Sequence, residues 1–321
     1  MPQLSTLSPL AGIPLAILAG VAIPLQGRIN GALGVRLGDG IAAALVSFST
    51  GLVLMIAIST VLPVGRAGIR RVMPALRARS FPRYYVGAGA FGAFFVYSQS
   101  ATIGVLGVAL FTVAAVAGQS LSGIAVDRAG LGPAGKRPVT AGRVIGAALT
   151  VLAVVWAVSP RLGGTAGSAS WLLPVLLPVA AGVLLSFQQA MNGTAAVHYG
   201  TPVTATLVHF VAGAAVLLVA WIATLPVAVS AGALPSEWWY YLGGPLGCVY
   251  IGFASVLVRH LGVLLTGLSM IGGQLIGSLL LDALHPTPGN VIGAETVAGT
   301  ILTLFAIALT TLPWGERRSG R

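Results

Sequence analysis

The sequence predicts an all-α integral membrane protein of ten transmembrane helices, built as two five-helix repeats that enter the bilayer in opposite directions. Composition, the spacing of apolar runs and internal repetition predict it. Of the 321 residues, 7% are charged and 56% hydrophobic, whereas a soluble domain carries roughly 25% charged residues. Mean hydropathy is +0.96. Six acids and seventeen bases cannot cover the surface of a water-soluble chain of this length, so lipid is the solvent for most of it.

The elements follow from runs of about 20 apolar residues, the length that crosses a hydrocarbon core. The first run, 10–34, comes after Met1–Ser8, which holds no Lys or Arg and so lacks the charged start of a signal peptide; it is read as a retained helix. Gly38-Asp39-Gly40 separates it from 40–63. An arginine-rich loop, 64–83, leads to 84–103, and Gly104 and Gly107 set that run off from 106–127. A Gly/Pro/basic segment precedes 141–159, which closes the first repeat, 1–159. The second repeat, 160–321, offers runs at 171–197, 202–225, 238–258, 261–283 and 291–313. Forty-four glycines suit such a bundle, because small residues let membrane helices approach closely.

Repetition gives this count its meaning. At a shift of 162, Gly20 meets Gly182, Gln26 meets Gln188, Asn30 meets Asn192, Phe48 meets Phe210 and Gly51 meets Gly213. After a longer loop in the first half the shift falls to 155, pairing Tyr85 with Tyr240, Gly92 with Gly247, Gly118-Gln119 with Gly273-Gln274, and Asp127 with Asp282. At 153, Gly146 meets Gly299 and Leu149-Thr150 meets Leu302-Thr303. Five spans is an odd number, so the copies must be inverted. With both termini cytoplasmic, fourteen of the seventeen cations face inward, as the positive-inside rule requires. The loop 226–237, counterpart of the basic 64–83, has no cation, which fits its being turned outward. Two repeats in one chain also replace a dimer, so a monomer is expected.

Charge distribution excludes nucleic acid as a partner: the bases lie in short connections, with no basic stripe interleaved with aromatics. The lone Cys248 excludes an intramolecular disulfide or a cysteine metal site. No cofactor or metal motif is present. Gly87–Gly92 matches GxGxxG but lies in an apolar run with no preceding strand. Catalytic motifs for proteolysis or ATP hydrolysis are missing, so the chain is not expected to be an enzyme.

Function then rests on polar groups inside the membrane, each of which needs a partner or a wet cavity. Gln26 and Asn30, and their counterparts Gln188 and Asn192, stand four residues apart on one helix face. Such amides either line a polar cavity or glue helices together. Arg28 has Ala190 as its counterpart; it could bind an anionic solute, snorkel, or pair with Asp282. Gln119 and Gln274 each precede an aspartate, Asp127 and Asp282, by eight residues, about 12 Å along a shared face. The aspartates are read as interfacial salt bridges or caps, with a proton site as the alternative. Neither sits at the N-terminus of its own helix, so no macrodipole is expected to hold it. His209, in place of Ser47, is read as a satisfied core residue.

PLQGRINGALG at 24–34, SFSTG at 47–51 and AGQSLSGIAVDRAGLGP at 117–133, echoed by SFQQAMNG at 186–193, HFVAG at 209–213 and GGQLIGSLLLD at 272–282, resemble the YdcZ-type family of the drug/metabolite transporter superfamily, here in a fused ten-helix form. The resemblance implies a fold related to the small multidrug resistance transporters and a cavity lined by both halves. In those relatives a helix-1 glutamate binds protons and cations; this sequence has no acid in helix 1 or helix 6 and holds Arg28 instead.

The expectation is therefore a secondary transporter that exports a small solute across a bacterial inner membrane by alternating access between inverted repeats. Its site would draw on Gln26, Arg28, Asn30, Gln119, Gln188, Asn192 and Gln274, with membrane lipid as the other partner. A lipid flippase and a non-transporting membrane scaffold are the alternatives.

Overall fold

The computed structural model describes residues 9–162, 169–224, 232–261, 263–286 and 293–311, and their regular structure is helical. Residues 1–8, 163–168, 225–231, 262, 287–292 and 312–321 lie outside the described residues, and with them position 262 of the run 261–283, the ends of the runs 202–225 and 291–313, and the tail arginines. The first run forms two helices, α1 (Pro9–Gly20) and α2 (Ala22–Leu37), split at Val21. Pro24 explains the split, since it has no N–H to give the carbonyl of Gly20 one turn earlier. The turn tightens there, with Val21 N–H donating to Leu18 O at 3.1 Å. Next come α3 (Gly40–Val61), α4 (Pro63–Arg77), α5 (Ala88–Leu106), α6 (Val108–Ala129) and α7 (Ala141–Leu162). The rest comprises α8 (Ala169–Tyr199), α9 (Pro202–Thr224), α10 (Gly243–Leu261), α11 (Val263–Leu284) and α12 (Ala294–Thr311). Short 3₁₀ segments, Arg83–Gly87 and Trp238–Leu242, lead into α5 and α10. Among the described residues, eight helical stretches, from Ala11–Leu37 to Thr266–Leu284, are long and apolar enough to cross a bilayer, and Ala294–Leu309 is a shorter apolar helix.

Capping fixes the turns. Asp39 caps α3, its Oδ1 accepting from Ile41 N at 2.8 Å and Ala42 N at 3.0 Å, as an N-cap aspartate does. Gly107 joins α5 to α6 in a single residue at φ 79° and ψ 166°, a backbone region open in practice only to glycine.

One element departs from expectation. The 64–83 stretch, read as a loop, contains helix α4. Gly65, Gly68, Val72, Ala75 and Leu76 recur at helical spacing and form its inward stripe. Gly65 lies on the Ser59 backbone and Gly68 on Thr201 and Thr204. Its arginines face out, which is why a scan for apolar runs passes over it.

Packing is set by glycines whose backbones touch a neighbouring helix, and these contacts come in matched sets. A Cβ on Gly20 would fall on the Met270 carbonyl, and one on Gly182 would fall on the Ala115 carbonyl. Gly118 lies against Val179, Gly273 against Ile17. Gly51 abuts the ring of Phe210, Gly213 the ring of Phe48. Gly89 rests on the backbone of His209 and Gly213, Gly244 on that of Ser47 and Gly51. Adding 162 to positions in α1–α3 or 155 to those in α5–α6, and subtracting the same shifts from their second-half partners, turns the first contact of each set into the second. Helix neighbours repeat the pattern: α8 packs on α5 and α6, while α1 and α2 pack on α10 and α11; α3 meets α9, α6 meets α11 and α7 meets α12. The main apolar cluster, with Phe48, Phe95, Phe111 and Phe210, fills the crossing of α3, α5, α6 and α9.

Candidate functional site: buried amides around a closed centre

Three polar groups and one small cavity occupy the membrane region. In the first, Asn30 Nδ2 of α2 donates to Gln99 Oε1 of α5 at 2.9 Å, fully buried. Asn30 Oδ1, Ser47 Oγ and Gln99 Nε2 are buried without a hydrogen-bond partner among the described residues. Gly243, at the start of α10, lies against Asn30 and Ser47. Gln26 lies one turn away, buried beside Gly247. Three unpartnered polar atoms in one buried cluster are costly in a membrane interior, so this cluster has spare capacity for water or a polar solute.

The second group is its counterpart in the other half. Gln188 Nε2 and Asn192 Nδ2 of α8 approach His209 Nδ1 of α9 at 3.3 Å and 3.2 Å. Nδ1 accepts from these amides in the tautomer that carries its proton on Nε2. Phe48 and Phe210 flank the ring, with centroids at 5.6 Å and 5.5 Å, and Gly92 of α5 lies against its edge. His209 is the satisfied core residue expected, and its contacts join α8 to α9.

Gln119 and Gln274, equivalent in sequence, find different partners. Gln119 Nε2 donates to Gln189 Oε1 at 3.1 Å, while its carbonyl accepts from Ser186 Oγ at 3.0 Å. Gln274 Nε2 donates to Tyr250 Oη of α10 at 3.1 Å. Of the residues singled out from sequence, Gln274 alone lines the central cavity, a space of about 10 Å³, room for about one water. Gln99, Thr112, Gly27, Pro24 and Phe111 share that lining. The cavity thus lies between α2, α5, α6 and α11, with an amide from each half facing it. The four helices pack closely around this space.

The third group is ionic and lies at helix ends. Asp127 pairs with Arg143 of α7, a link between consecutive helices. Asp282 is 2% exposed; its Oδ2 accepts from the Ala109 amide at 2.7 Å and its Oδ1 lies 4.0 Å from Arg28 Nη1. Arg28 also reaches the Pro286 carbonyl at 3.5 Å. Here the expectation about macrodipoles is corrected. Asp282 is remote from the start of its own helix but sits on the first turn of α6, where free N–H groups and the positive helix end favour a carboxylate.

Sequence reasoning missed Gln99, Ser47, Tyr250 and the partners of His209. Gln99 carried a legible signal, a glutamine in the apolar run of α5, the criterion that found the other amides.

The fold and its buried polar groups define a polytopic all-α membrane protein whose two halves share a small, mostly apolar cavity that a glutamine from each half faces. A family model described as "Putative inner membrane exporter, YdcZ" matches residues 11–156 and 173–309. The chain belongs to this YdcZ family of the drug/metabolite transporter type, and the two matched segments correspond to a fused form. No curated protein matches the sequence.

Proposed function

We propose that the chain is a secondary transporter that exports a small, hydrogen-bonding solute across the bacterial inner membrane, alternating between two inverted five-helix repeats, 1–159 and 160–321. The observation that carries this reading is the shared centre, where Gln99 from the first half and Gln274 from the second face one cavity. Matched glycine contacts between the halves support the two-fold relation of the repeats, since Gly20, Gly51, Gly89 and Gly118 each touch the other half as Gly182, Gly213, Gly244 and Gly273 do in return. Inverted repeats with a site between them are a recurring transporter plan. The closed centre is the occluded stage of such a cycle; opening separates α2 and α11 on one face or α8 and α6 on the other. No chemistry is asked of the protein, so it acts as a carrier and not as an enzyme. Both termini face the cytoplasm, one chain is the working unit, and Gln26, Asn30, Gln188 and Asn192 are exposed to solute as the bundle opens.

The test is a binding screen on purified protein by thermal shift against cationic, anionic and neutral metabolites, followed by transport in proteoliposomes. A stabilising solute should lose its effect in Gln99→Leu and Gln274→Leu. A solute that is transported equally well by both variants would place the pathway elsewhere.

A further inference from the structure

The arginine-rich surface around α4 lies outside the buried amide clusters and the cavity described above. Helix α4 ends in a Schellman turn: Ser80 N–H donates to Ala75 O at 3.2 Å and Arg79 N–H to Leu76 O at 3.4 Å. The left-handed residue of such a turn is ordinarily glycine. Here it is Arg79, at φ 50°, the one non-glycine with positive φ among the described residues. Strain kept at one position points to a use for the side chain that stands there.

Arg79 lines a surface hollow of about 600 Å³ together with Ser80, Phe81, Pro82, Arg83 and Tyr84. Arg83 Nε donates to Leu76 O at 3.2 Å, which covers a carbonyl at the end of α4 and holds a second guanidinium at the rim. Tyr84 is exposed and lies edge-on to Tyr85. Arg70 and Arg77 are exposed on the same helix, and next to them Ile69 and Met73 present an exposed apolar edge. No acid occurs between Asp39 and Asp127, nor anywhere in α8 or α9, which pack against α4. Arginines above an apolar edge on an amphipathic helix are the arrangement of a helix lying in the bilayer interface, and clustered cations there attract anionic headgroups.

We propose that the Arg79–Arg83 hollow binds the phosphate of an anionic phospholipid, with Ile69 and Met73 against its acyl chains and Tyr84 at the headgroup level. Guanidinium pairs are suited to bidentate contact with phosphate oxygens. The exposed apolar edge on the same helix, Ile69 and Met73, favours a lipid over a free anion.

The test uses the full purified chain in nanodiscs of phosphatidylcholine, with or without phosphatidylglycerol, and inorganic phosphate as a separate arm. Phosphatidylglycerol should raise the unfolding temperature of the wild type and co-purify with it in native mass spectra. The double variant Arg79→Ala/Arg83→Ala should lose both effects, while Arg128→Ala, an exposed arginine elsewhere, should keep them. Arg79→Gly guards against simple misfolding: glycine relieves the strained turn, so this variant should be at least as stable in phosphatidylcholine yet gain less from phosphatidylglycerol. An equal gain in the wild type and in both hollow variants would overturn the proposal. An equal gain from inorganic phosphate alone would overturn the assignment to lipid.

Discussion

Removing Asp282 should destabilise the protein far more than removing Arg28, although the two face each other. The carboxylate is 2% exposed and accepts from the Ala109 amide at 2.7 Å, a charge-assisted bond in a buried setting, worth about 1.5–3 kcal/mol. The positive end of α6 adds about 0.3–1 kcal/mol, more where water is excluded. The guanidinium contributes less: its side chain is 25% exposed and its nearest nitrogen stands at 4.0 Å, a pair worth about 0–1 kcal/mol in such geometry. Asp282→Ala should therefore cost about 2–4 kcal/mol. Asp282→Asn, which keeps an acceptor for Ala109, should recover about half of that, and Arg28→Ala should cost less than about 1 kcal/mol. Thermal unfolding of the four proteins in one detergent, read as a ranking because membrane proteins seldom unfold reversibly, gives the order wild type, Arg28→Ala, Asp282→Asn, Asp282→Ala. Equal losses for Arg28→Ala and Asp282→Ala would refute the capping argument and make the ion pair the main bond. Stability retained in Arg28→Ala with export of an anion abolished would instead identify Arg28 as a solute ligand.

Other expectations follow from the same geometry. His209→Ala leaves the Gln188 and Asn192 amides without their acceptor and should lower stability by about 1–3 kcal/mol; His209→Ser, which installs the residue of the first half, should do the same, and an unchanged unfolding temperature would count against these bonds. Gly20→Ala and Gly182→Ala should both prevent stable folding, since each new Cβ falls on a carbonyl. Gly252→Ala, with nothing within 4 Å, should be neutral or more stable by up to about 1 kcal/mol, and yields of folded protein in size-exclusion chromatography separate the two classes. Gly107→Ala should cost about 1–3 kcal/mol at the α5–α6 turn, visible in the same unfolding assay.

Much of the fold is legible because membrane helices announce themselves by apolar length, and Gly38, Gly107 and Gly200 mark the turns where φ is positive. Helix α4 is not legible that way, because glycine and alanine make much of its inward stripe and arginines interrupt its hydropathy. In the site, polar residues stand out against an apolar background, so their existence can be read; their partners cannot. Asn30 meets Gln99, 69 positions away, only through the rotation of α2 against α5. The bond from Ala109 to Asp282 spans 173 positions and turns on which helix end faces the carboxylate. Arg28 and Asp282 were within reach by topology alone, since both fall near the same membrane surface.

Sidedness of the two equivalent loops tests the inverted arrangement most directly. Ser80 and Ser236 are exposed, one in the basic connection after α4 and the other before α10. In a Cys248→Ala background, each is replaced singly by cysteine and treated in whole cells with a membrane-impermeant maleimide. Ser236→Cys should be labelled in intact cells, and Ser80→Cys only after the membrane is opened. Labelling of both from the same side would contradict the inverted repeats and the transport cycle built on them.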